Sequence, residues 1–154
     1  MKTRTSVLTL VLLFIGVTLS FAANPNLGTW KLNEAKSKLA PGTPKNTKVV
    51  YAAAGDSIKA TIDGVDGQGK PTHNEWTGKF DGKDYPVTGD SASDSRALKQ
   101  IDDRTLELTV KKGGKVTMTG KAVVSADGKS RTVTISGTDA AGKKIESTAV
   151  YDKQ

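Results

Sequence analysis

Apolar and polar residues alternate with a period of two along almost the whole chain beyond residue 22. The clearest run is Lys115 to Ala126, where Val116, Met118, Ala122 and Val124 share one face with Gly120, while Thr117, Thr119 and Lys121 take the other. Leu106, Leu108 and Val110 alternate with Thr105, Glu107 and Thr109, and Ile58, Ala60 and Ile62 with Lys59 and Thr61. Successive side chains of a strand point to opposite faces, so each run is a strand with one dry and one polar face. Turn signals separate the runs: Asp63-Gly64, Asp66-Gly67, Asp81-Gly82, Gly113-Gly114, Asp127-Gly128, and Gly142 after Asp139. Asp-Gly and Gly-Gly supply the positive φ angles of tight hairpins.

The pattern predicts about ten strands, over 28–33, 47–54, 57–63, 71–80, 83–88, 94–101, 104–112, 115–126, 130–138 and 143–152. Very short turns join the last six, which makes them adjacent antiparallel neighbours. Asn33 to Leu39 breaks the alternation with an N-cap candidate followed by helix formers, and Pro41 and Pro44 end it, so a short helix or turn is expected near 33–40. The fold class is therefore all-β, an antiparallel up-and-down meander. A long meander has two edges to protect, and closure into a barrel removes them; a two-layer sandwich is the competing arrangement. The dry faces are mostly Ala, Val, Ile and Thr. Small inward side chains would leave a cavity in a barrel and a thin core in a sandwich.

The first 22 residues read as a secretory leader, with Lys2 and Arg4 basic, an apolar stretch from Val7 to Leu19, and Ser20-Phe21-Ala22 at the cleavage site. That stretch is short of the roughly 20 residues a spanning helix needs. Residues 23–154 then form a single domain, exported to the periplasm or secreted. Losing Lys2 and Arg4 lowers the net charge from +7 to +5. Leu, Ile, Val and Phe make up 22 of the remaining 132 residues, a fraction that borders on disorder by composition. The alternation places those few residues on one face of nearly every strand. With no cysteine in the chain, disulfides, thiol nucleophiles and zinc-thiolate sites are excluded.

The chain opens its first strand with Gly28-Thr29-Trp30-Lys31-Leu32 and closes its last with Val150-Tyr151-Asp152-Lys153. Together with the strand number and the helical interruption after the first strand, this resembles the calycin superfamily, the lipocalins and fatty-acid-binding proteins. The resemblance implies a closed lipocalin-like barrel with Trp30 plugging its floor and a small molecule held inside. Fatty-acid-binding proteins clamp a carboxylate with an Arg-x-Tyr on the final strand. Tyr151 matches that tyrosine, but Ala149 stands at the arginine position. A bacterial exported lipocalin-like domain is the closer description.

Few residues carry candidate chemistry. His73, the single histidine, shares a strand face with Glu75, but two ligands do not make a zinc site. No Gly-x-Ser-x-Gly marks a nucleophile, and Asp63, Asp66, Asp81 and Asp127 fall in turns, where accepting backbone hydrogen bonds accounts for them. The positive charge is dispersed to hairpin tips such as Lys111-Lys112 and Lys143-Lys144, without the stacking aromatics of a nucleic-acid groove.

Trp76 and Phe80 share a face with Gly78 between them, and with Tyr85, Tyr51 and Tyr151 they are five of the six aromatics beyond the leader. They serve core packing or line a ligand cavity. Arg96, between Ser95 and Ala97, is the mid-strand cation best placed for an acidic ligand group, unless it points outward into solvent. The sequence thus describes an exported, non-enzymatic, monomeric barrel without cofactor. It binds a small apolar or amphipathic molecule through Trp76, Phe80, Tyr85, Arg96 and Tyr151. The rival reading is a protein-binding or inhibitory barrel acting through hairpin loops such as Gly64–Pro71 and Gly89–Asp94.

Overall fold

The computed structural model describes residues 24–138, 142 and 144–154; the leader expected at 1–22 and the expected start of the last strand at 143 lie outside them. Ten strands follow one another: β1 (Gly28–Leu32), β2 (Lys45–Ala54), β3 (Ser57–Val65), β4 (Pro71–Gly78), β5 (Tyr85–Thr88), β6 (Ser95–Asp102), β7 (Thr105–Lys112), β8 (Lys115–Val124), β9 (Ser130–Thr138) and β10 (Lys144–Lys153). Each pairs antiparallel with its neighbour in sequence, and β1 also pairs with β10, so the sheet closes as a barrel. Closure gives every strand a neighbour on both sides, with the shortest ladders at β5, which makes two pairs with β4 and two with β6. Among the described residues no helix is long and apolar enough to cross a membrane.

The turns follow their local chemistry. Gly113 and Gly114 have φ of 56° and 75°, the pair of positive angles that a two-residue I′ hairpin demands. Asp66, Asp81, Asp102 and Asp127 accept backbone N–H groups two residues further on, from Gln68, Lys83, Arg104 and Lys129. The interruption after β1 is one 3-10 turn, Glu34–Lys36, capped by the Asn33 side chain. From there Lys38 bridges to Thr148, and Ala40 N donates to Ser147 Oγ at 3.0 Å. The connection is thereby strapped along β10 instead of forming a helical lid.

Three departures from the sequence expectation have physical causes. Asp63-Gly64 is not a turn, because β3 runs on to Val65 opposite a bulge between Asn46 and Lys48. A Cβ at Gly64 would collide with the Lys45 carbonyl, so that glycine serves close backbone approach. Val116 does not share the face of Met118: the β7–β8 register slips at Val110/Lys111, pairing Met118 with Val110 but Val116 with Lys111. One extra residue reverses the side-chain alternation, and Val116 is 55% exposed. Phe80 lies beyond the end of β4, because residues 80–82 leave that strand and pair with β6 through Gly82 N–Leu98 O and Gln100 N–Phe80 O.

Residues directly opposite in the ladder share a face, which identifies the interior. Trp30, Val49, Ile62 and Asn74 form one inward row across β1 to β4. At the end where β1 begins, the barrel is sealed: Trp30, Leu106, Val124 and Asn26 are completely buried. Trp30 Nε1 donates to Asn26 O at 3.0 Å, and Asn26 Nδ2 to Asp103 O at 3.4 Å, so the segment before β1 crosses this floor. At the opposite end Met118, Ile135 and Ile145 also face inward by register yet stay partly exposed and outside the packed core. The barrel is dense at its floor and less completely packed toward its other end.

Leu106→Ala, which empties a fully buried site at the floor, is expected to lower unfolding free energy by roughly 3 kcal/mol in urea titration. On β8, Val116→Thr is expected to change stability by less than about 0.5 kcal/mol. Val124→Thr at the far end of the same strand should cost about 1–3 kcal/mol, because it buries a hydroxyl. Equal costs at the two valines would contradict the register slip.

Candidate functional site

Two clusters occupy the lower interior. Trp76 on β4 stacks on Phe80, with centroids 6.4 Å apart and planes 13° apart, and meets Tyr85 edge-on at 5.9 Å and 84°. Trp76 Nε1 donates to Arg96 O at 2.9 Å, so this buried ring ties β4 to β6 where β5 gives only two pairs on each side. A Cβ at Gly78 would lie 2.5 Å from Tyr85 and 2.6 Å from the Trp76 ring; the glycine between Trp76 and Phe80 is what lets the rings close over the strand. Tyr85 Oη donates to Asp81 Oδ2 at 3.0 Å. Partial burial first, and then the Asp81 carboxylate, push the Tyr85 phenol above its ordinary range.

The second cluster is built around a cation that the sequence reading passed over. Arg131, on β9 directly opposite Tyr151, is only 6% exposed. Its guanidinium carbon lies 4.9 Å from the Tyr51 ring centroid, 5.8 Å from Trp30 and 6.0 Å from Tyr151. Arg131 Nη2 donates to Tyr51 Oη at a long 3.5 Å, while Nε and Nη1 are buried without a partner among the described residues. Lys153 Nζ stands 5.0 Å from the Trp30 ring and donates to Pro25 O. Burial drives the Tyr151 phenol up to about 12, Arg131 opposing the shift and Tyr51 adding to it. Ala149, at the arginine position of the Arg-x-Tyr pattern, faces Val133; the cation beside Tyr151 comes from the neighbouring strand.

The two clusters meet at Tyr51, whose ring lies edge-on to Phe80 at 6.1 Å. Of the residues expected to line a cavity, Trp76, Phe80 and Tyr85 are thus together, and Tyr151 joins them through Tyr51 and Arg131. Arg96 faces inward, in register between Tyr85 and Val110. Its side chain is 13% exposed and lies 3.8 Å from Asp90, while its Nε is buried without a partner among the described residues. Arg131 was signalled by position: it shares the alternating face of Val133 and Ile135, where a cation is out of place.

His73 and Glu75 do share a face, and it is the outer one. His73 Nδ1 contacts Asp63 Oδ1 at 2.6 Å and Glu75 pairs with Lys59 at 2.8 Å, all four side chains being 40–58% exposed. The Lys59 hydrogen bond is the main cause holding the Glu75 carboxyl below its usual value. Among the described residues no three His, Asp or Glu side chains are grouped to hold a metal. A depression of about 400 Å³ crosses β7 to β9 where Gly120 stands between Leu108 and Ile135, flanked by Thr109, Thr119 and Thr134.

No model of a known protein family matches this chain, and no curated protein matches it. Among solved structures, fifteen chains match. One, described as EF1p2_mFAP2b bound to DFHBI, aligns over 86% of this chain and 97% of its own length, with a TM-score of 0.51 and 12% identity. At that identity the likeness is one of fold alone; this chain's own ten-stranded antiparallel barrel has the strand number and closure that the calycin resemblance implied.

Proposed function

We propose that this protein is an exported, non-enzymatic barrel that holds a small amphipathic molecule in its interior. The observation that carries this reading is the contrast between the ends. The floor is packed to full burial by Trp30, Leu106 and Val124, whereas Met118, Ile135 and Ile145 turn apolar side chains inward and stay partly exposed. An apolar inner wall reachable from one end, with a few polar groups below it, is the usual composition of a small-molecule site. Apolar surface left to water is a standing driving force for a guest, worth about 25 cal/mol per Å² covered. That the barrel of similar fold is described as bound to DFHBI adds a precedent for a guest on this architecture. In this reading Trp76, Phe80 and Tyr85 form the rigid aromatic base of the site, and the leader expected at 1–22 delivers the protein to the periplasm or beyond.

The neutral fluorophore N-phenyl-1-naphthylamine tests the reading. Saturable 1:1 binding to the mature chain is expected, with fluorescence enhancement. The variant Ile135→Trp fills the upper interior and should weaken that binding about ten-fold or more, with the melting temperature essentially kept. Native mass spectrometry of protein purified from its own host should show a retained small molecule. Absence of 1:1 binding, or binding indifferent to Ile135→Trp, would overturn the interior site.

A further inference from the structure

We propose that the corner where β4, β6 and the loop after β5 meet recognises a neutral carboxamide, whose carbonyl accepts from Arg96 Nε and whose N–H donates to Asn74 Oδ1. This rests on the interior-binding reading above and adds the chemical class of the guest's polar end.

Asn74 stands on β4 at the end of the inward row formed with Trp30, Val49 and Ile62, and is only 8% exposed. Its Oδ1 is buried without a hydrogen-bond partner among the described residues, and so is Nε of Arg96, inward on β6. The loop after β5 links the two. Gly89, with φ of 79°, packs so closely on β4 that a Cβ there would lie 2.5 Å from His73 O and 3.3 Å from Asn74 Cα. The next residue, Asp90, lies 3.8 Å from Arg96 Nη2. Asp90 is held by its own loop, accepting from Ala92 N at 2.8 Å and from the hydroxyl of the buried Ser93. Its carboxylate therefore balances the charge of Arg96 without engaging Nε.

The two unpartnered atoms are of opposite kind, one acceptor and one donor. A guest that satisfies both recovers a cost that an apolar guest leaves standing. Charge selects among polar guests. Arg96 and Asp90 together are neutral, so a carboxylate guest would bring a second negative charge beside Asp90. An ester offers an acceptor and no donor. A carboxamide carries both on one planar group and adds no charge. The corner also lies at the less packed end: the ladder places Arg96 in one inward row with Val110, Met118, Gly137 and Ile145. Met118 and Ile145 are partly exposed there, so a guest that covers them with its apolar part carries its polar end toward Arg96 and Asn74.

Decanamide, methyl decanoate and decanoate are titrated into the mature chain against bound N-phenyl-1-naphthylamine, with Asn74→Leu and Asn74→Ser in parallel. Wild type should prefer the amide over both the ester and the acid by about ten-fold or more. Asn74→Leu, which removes the acceptor, should bring the amide-to-ester ratio within about two-fold and keep or raise the melting temperature, since a buried unpaired oxygen is lost with it. Asn74→Ser, which keeps a smaller acceptor, should retain part of the preference. Equal binding of amide and ester by wild type, tighter binding of the acid, or a preference that survives Asn74→Leu overturns the amide corner while the interior reading stands. If the fluorophore does not bind, decanamide is titrated by calorimetry. Heat that depends on Asn74 then sustains the corner and not the apolar site, and no heat removes both.

Discussion

Everything inside this molecule depends on one ladder, the pairing of β1 with β10 through Trp30↔Lys153, Lys31↔Asp152 and Leu32↔Tyr151. β1 is only five residues long, yet it bonds to a strand on each side and turns a ten-stranded meander into a closed wall. Without that seam the sheet would keep its local hydrogen bonds and lose its interior. With it, inward side chains from strands more than a hundred residues apart in sequence face one another across a few ångströms. The same seam brings Lys153 onto the face of Trp30 and sets Tyr151 beside the floor.

Closure also explains how so few large apolar residues suffice. Each inward side chain of a barrel contacts neighbours on its own strand, on both flanking strands and across the interior. Two tryptophans, three tyrosines and a phenylalanine concentrated in the lower half therefore fill it. Toward the other end the inward side chains are smaller, and Met118, Ile135 and Ile145 are only partly buried, so the packing is not uniform along the barrel. The four-residue β5, which carries Pro86, is the thinnest part of the wall. Trp76 reinforces it by bonding past it to Arg96 O.

Uncompensated charge is the second constraint. Aromatic faces make a tolerable bed for Arg131, but they leave its N–H groups without acceptors, a cost that the well-packed floor has to offset. Groups left short of their partners by the fold itself are where function is expected. Arg96, the other inward arginine, lies 3.8 Å from the Asp90 carboxylate but keeps a buried Nε without a partner among the described residues.

Strand number, order, the up-and-down path and the strand limits to within two residues were readable along the chain, because a period of two and Asp-Gly or Gly-Gly turns are local properties. The capped turn after Asn33 was equally local. The sequence could also place Trp76, Phe80 and Tyr85 near one another, since at most nine positions separate them. It misassigned Val116 and Gly64 because a bulge is set by how two strands twist past each other, which no single strand records. Arg131 had a visible signal, a cation on an apolar face, but its meaning came only with Tyr51, 80 residues away, and with Trp30 and Tyr151. The sequence by itself thus determined an antiparallel up-and-down meander with one dry side. The tertiary structure decided that the sheet closes through β1 and β10, which end is filled, and that the Arg131 guanidinium sits inside among aromatic rings, because long-range packing brings together side chains that no local pattern relates.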